Sequence, residues 1–97
     1  MDCVFCKIVA GELPATIEYQ DEDVLAFRDI HPQAKTHLLF VPKIHVASFD
    51  ETDDYSIFEK IKFMIKELNL ADYKIVINGG NLQEVKHLHI HLMSERG

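Results

Sequence analysis

Apolar and polar positions alternate most strictly near the end of the chain, in His87-Leu88-His89-Ile90-His91-Leu92-Met93. Side chains alternate across a β-strand, so this order predicts a strand with Leu88, Ile90 and Leu92 toward a core and the three histidines on the opposite face. A helix would spread the same histidines by about 100° per residue, and they could not converge. Upstream, Thr16 to Gln20 alternates as a half-buried strand, Asp21-Glu22 reads as a tight turn, and Val24 to Arg28 continues as a second strand, making a hairpin. His37 to Val41 is an apolar run that predicts a central strand ending at Pro42, and Tyr73 to Ile77 is a strand rich in β-branched residues. Between them Ile57, Phe58, Ile61, Met64, Ile65 and Leu68 recur at helical spacing and predict one long helix, roughly Asp53 to Leu70, capped by Asp50, Thr52 or Asp53. A short helix before Gly11, capped by Asp2, would carry Val4, Phe5 and Ile8 on one stripe. Ile30 to Thr36 and Asn78 to Asn81 lack periodicity and read as loops. The expectation is an α+β fold: about five strands in one antiparallel sheet, with one long and one short helix on one face.

Composition narrows this picture. Ninety-seven residues with 47% hydrophobic content suit one domain, 1–97, with a modest core that a metal or a dimer interface would support. A net charge of -6 and the lack of any basic run argue against a nucleic-acid partner. No apolar run has the length of a membrane span, and the N-terminus lacks a secretory pattern, so a cytoplasmic location away from membranes is expected.

The chemistry lies in histidine and cysteine. A lone histidine such as His31 is most often a surface or satisfied residue. Three on one strand face can instead supply zinc ligands, or one can act as a nucleophile that its neighbours orient and protonate. Spacing alone does not choose between these. Cys3-Val4-Phe5-Cys6 is a C-x-x-C pair, the commonest half of a zinc site, and no thioredoxin-like order surrounds it. With histidines downstream, a structural Cys2His2 zinc is the better reading, which would make some histidine a ligand. Asn78-Gly79-Gly80 and Gln83 offer amide donors to an anion, though Asn-Gly is more often just a turn. The standard phosphate-loop and dinucleotide fingerprints are absent.

The histidine stretch matches the His-φ-His-φ-His-φ-φ pattern (φ apolar) of the histidine triad, or HIT, superfamily, and it does not stand alone. Phe5-Cys6-Lys7-Ile8, Leu25 to Ile30, Pro32-Gln33-Ala34, Thr36-His37, Val41-Pro42-Lys43 and Gln83-Glu84-Val85 each resemble segments of its Hint branch, in the same order. The resemblance implies a HIT-like fold and a homodimer that binds purine nucleoside monophosphates and hydrolyses nucleoside phosphoramidates or related adenylates. It implies that His89 attacks the α-phosphorus and is transiently nucleotidylated, that His91 contacts the phosphate and assists proton transfer, and that His37 belongs to the surrounding network. Asp29 would take the ribose hydroxyls, Val4, Phe5, Ile8, Phe27 and Ile30 would wall the base pocket, and Asn78, Gln83 and Glu84 would lie at the phosphate. It further assigns zinc to Cys3, Cys6, His45 and His87. Other readings remain open here: a dinucleoside polyphosphate hydrolase, a non-catalytic nucleotide-binding or scaffold protein, or a catalytic zinc on all three alternating histidines.

Overall fold

The computed structural model describes residues 3–95. A short helix α1 (Val4–Val9) precedes strands β1 (Ile17–Gln20), β2 (Val24–Arg28) and β3 (Thr36–Pro42). The long helix α2 (Ile57–Glu67), strand β4 (Lys74–Ile77) and strand β5 (Ile90–Ser94) follow. The sheet is antiparallel throughout, in the order β1-β2-β3-β5-β4.

The period-2 pattern builds a sheet with two apolar faces. Val24, Ala26, Leu38, Phe40, Leu88, Ile90 and Leu92 face one side and pack on Ile57, Ile61 and Met64 of α2. Leu25, Phe27, Leu39 and Val41 face the other and pack on Cys3, Phe5 and Ile8 around α1. The helices therefore lie on both faces, and the expectation of one face is corrected. The reason is legible in β2 and β3, where Val24 to Phe27 and Thr36 to Val41 are buried in unbroken runs, as in a strand covered twice.

The element ends also shift for local reasons. Asp2, expected to cap α1, lies outside the described residues; Cys3 is the N-cap, its Sγ accepting from the Cys6 amide at 3.3 Å, and Gly11 leaves the helix at φ +79°. The long helix is shorter than its periodicity suggested. Phe49–Glu51 forms a separate 3-10 turn, with Ser48 Oγ donating to Asp50 at 2.6 Å and Thr52 Oγ1 accepting from the Asp54 amide at 3.2 Å, so α2 starts after Ser56 and not at Asp50, Thr52 or Asp53. Asn69 ends α2 at φ +55°; the Asn69 and Leu70 amides donate back to Lys66 and Ile65, a Schellman arrangement. The β1–β2 turn is tied by Asp21, which accepts from the Asp23 and Val24 amides at 2.8 Å, from Tyr19 at 2.6 Å and from Lys60 at 3.3 Å. Partial burial opposes its charge, but these donors hold the carboxyl well below the usual carboxylate range.

Candidate functional site

The histidine segment enters β5 obliquely. Only Ile90 onward is paired as strand; His87 and His89 lie in the stretch before it, so the strand expected over 87–93 starts later. The alternation survives. Leu88, Ile90 and Leu92 fill the α2-side core, while the histidine rings gather on the α1 side, where Phe5 meets the rings of His89 at 5.0 Å and His87 at 5.9 Å, both edge-on. The rings are not on a wet face: His87 and His89 are buried and His91 is half-buried. Each ring then takes a different partner.

His87 turns toward the cysteines. Its Nδ1 lies 3.3 Å from Cys3 Sγ and 3.6 Å from Cys6 Sγ, and Cys6 Sγ lies 3.3 Å from His45 Nδ1. The four candidate ligand atoms all fall within 4.8 Å of one another. A tetrahedral zinc, with bonds of about 2.3 Å to sulfur and about 2.0 Å to nitrogen, places sulfur and nitrogen about 3.6 Å apart, so the quartet fits that ion. His87 Nε2 donates to the Pro42 carbonyl at 2.9 Å, which keeps the Nδ1 lone pair on the cysteine side, the carbonyl support common behind metal-bound imidazole. Burial lowers the His87 pKa and raises that of the Cys6 thiol, the latter helped by Cys3.

His89 and His91 are set by a second hydrogen-bond chain. The Gln33 amide donates to His37 Nδ1 at 3.0 Å, so the His37 proton sits on Nε2. That Nε2 donates to His91 Nδ1 at 2.9 Å, with Asp29 Oδ2 3.4 Å away. His91 therefore carries its proton on Nε2. His89 donates from Nδ1 to the His87 carbonyl at 2.8 Å, leaving Nε2 as a bare lone pair. One neighbour thus offers an acceptor nitrogen and the next a donor, with ring centroids 5.2 Å apart. Burial lowers the pKa of both His37 and His91; Asp29 opposes this at each, and Glu84 does so at His91.

The relay opens on a cavity of about 340 Å3. Among the expected site residues, Val4, Phe5, Ile8, Phe27, Asp29, Ile30, Glu84, His89 and His91 line it. His37 is buried behind His91. Gln83 is buried too, its amide nitrogen donating to the Ala47 and Val85 carbonyls at 2.8 and 3.3 Å, and Asn78 sits half-buried after β4; neither lines the cavity. Cys3, Cys6, His45 and His87 form their own cluster, and the three alternating histidines do not converge on one point, since His87 faces sulfur and His91 faces His37. Residues not foreseen include His31, Leu13, Pro14 and Ala15 on the cavity wall and the Gln33 amide and Pro42 carbonyl. The backbone groups left no sequence signal; a histidine two residues after Asp29 was the one available clue to His31.

Fold and site together define a small α+β protein with a histidine relay beside an apolar cavity and a separate Cys2His2 cluster. The HIT domain model matches residues 10–97. An uncharacterised HIT-like protein of Methanocaldococcus jannaschii is 46% identical, the match covering 94% of this chain and 77% of that protein. A 14 kDa zinc-binding protein of Zea mays is 41% identical over 96% of this chain and 81% of its own. An adenylylsulfatase of Arabidopsis thaliana is 36% identical over 96% and 71%. The crystal structure of a HIT family hydrolase from Legionella pneumophila, 40% identical, superposes with a TM-score of 0.89 over 99% of this chain and 95% of that one. The chain belongs to the histidine triad family.

Proposed function

We propose that the protein is a nucleotide-binding hydrolase that cleaves purine nucleoside phosphoramidates and related adenylates at the α-phosphorus through a nucleotidyl-His89 intermediate. The observation that carries this reading is the opposed state of two adjacent rings, a bare His89 Nε2 beside a protonated His91 Nε2, at a cavity that the Asp29 carboxylate also lines. The base packs between Val4, Phe5, Ile8, Phe27 and Ile30, and the ribose hydroxyls donate to Asp29, which as a carboxylate can accept both. His89 Nε2 attacks phosphorus; the P–N bond breaks, its electron pair goes to nitrogen, and that nitrogen takes the His91 Nε2 proton. The positive charge on nucleotidylated His89 then lies beside the ring that gave up a proton. Water attacks phosphorus in turn, returns a proton to His91 and restores the His89 lone pair, releasing the nucleoside monophosphate. The adenylylsulfatase name of the Arabidopsis relative supports an adenylate among the substrates.

The same reading assigns Cys3, Cys6, His45 and His87 to a structural zinc. The metal would tie α1 and the His45 loop to the segment entering β5; the zinc-binding name of the Zea mays relative supports it. We also propose a homodimer across the β4 edge, where Tyr73 and Ile75 are 50% and 41% exposed on a strand with one free side, and a cytoplasmic location, where thiol ligands stay reduced. His89→Asn is expected to abolish hydrolysis of adenosine phosphoramidate while retaining adenosine monophosphate binding by calorimetry; turnover at the parent rate would overturn the mechanism.

A further inference from the structure

Glu84 is an acidic cavity residue to which the proposed chemistry gives no role. Glu84 lines the same cavity as His89 and His91, from the segment leading into the histidines, and its charge favours the protonated His91 ring. A phosphoryl anion held by His89 and His91 would meet a second negative charge there. Nothing in the wall offsets it. Arg28 is the one permanently charged cation lining the cavity; it adjoins Asp29, and its Nε is paired with Glu18 at 2.9 Å. Lys86, two residues beyond Glu84, donates to the Gly80 carbonyl. Among the described residues no lysine or arginine forms an ion pair with Glu84. Asp29 differs, because its carboxylate accepts from the His31 amide and faces His37. Water and salt screen part of this repulsion, because Glu84 is exposed; a positive charge on the substrate would offset the rest, and the part of the substrate beyond phosphorus is the leaving group.

We propose that Glu84 makes the site selective for nucleoside phosphoramidates whose leaving amine carries a second ammonium, which Glu84 receives while the phosphoryl group lies against His89 and His91. This rests on the function proposed above and names its substrate class. Repulsion between Glu84 and phosphate is then offset within the bound substrate, whereas an amidate with a neutral tail leaves both anions uncompensated. Glu84 is exposed, so the preference is modest and depends on salt.

The test compares two adenosine monophosphate amidates of equal length, one made with 1,3-diaminopropane and one with n-butylamine. Their affinities are measured calorimetrically in the non-hydrolysing His89→Asn protein, and kcat/KM is measured with His89 intact. The diamine amidate is expected to be preferred by about fivefold at low salt. Glu84→Gln is expected to remove the preference by weakening the diamine compound and tightening the neutral one, and Glu84→Lys to reverse it. Equal selectivity in the parent and Glu84→Gln, or an equal loss for both compounds, overturns the role of Glu84 and leaves the proposed hydrolase intact. Failure of the His89→Asn protein to bind either compound, together with no turnover of either when His89 is intact, overturns both.

Discussion

His87, His89 and His91 are the same side chain at two-residue intervals, and each has one ring nitrogen committed to a different backbone or side-chain partner. Those commitments, to the Pro42 carbonyl, the His87 carbonyl and His37 Nε2, divide the labour of the site. The alternation of the three was plain in the sequence; the partners were not, because a carbonyl or amide from a distant loop leaves no mark in the identity of its residue. Gln33 illustrates this, since its amide fixes the His37 proton and any residue but proline would supply it. The buried His37 has a lowered pKa, so as pH falls the unfolded chain takes up a proton first, near its ordinary value of about 6.5. Its contribution to stability is whole above that pH and is lost below it. Unfolding free energy measured from pH 7.5 to 5.5 should decline, and His37→Asn should flatten the decline, by up to about 1.4 kcal/mol per pH unit. An unchanged slope would mean that His37 is not held neutral.

Among the elements, the strands and the apolar stripe of α2 followed their periodicities, while the ends of α2 and the side covered by α1 did not. Hydrophobic period fixes which residues of an element are buried, but it does not say where hydrogen bonding stops. Asn69 in the left-handed region and the turns around Ser48 and Asp54 decide that. The short α1 has only Phe5 fully buried, too small an apolar face to hold six residues by packing alone. Its attachment falls to Cys3 and Cys6, one at its cap and one in its body, opposite His45 and His87. Cys3→Ser should therefore lose the proposed zinc by elemental analysis and lower the melting temperature by more than about 10 °C. A zinc content and melting temperature equal to the parent would remove the metal from the account.

At the scale of the whole molecule, one sheet separates a packing face from a chemical face. On the first, Ile61 and its neighbours on α2 fill a continuous core; on the second, the cavity, relay and cysteine cluster share the smaller core around Phe5. No helix among the described residues is long and apolar enough to cross a membrane. The sheet has edges at β1 and β4, and the proposed dimer uses β4, where Ile75 is 41% exposed. Ile75→Lys should convert the proposed dimer to monomer by analytical ultracentrifugation while leaving the fold intact. A dimer unchanged by that charge would place the interface elsewhere.

In the proposed mechanism His89 becomes covalently nucleotidylated. Brief exposure to adenosine phosphoramidate, an acid-free quench that preserves P–N bonds, and intact and peptide mass spectrometry test it directly. A transient adenylyl mass is expected on the peptide containing His89, absent in His89→Asn and gone at long times. Turnover at full rate with no adduct at any time, or an adduct on another residue, would contradict it.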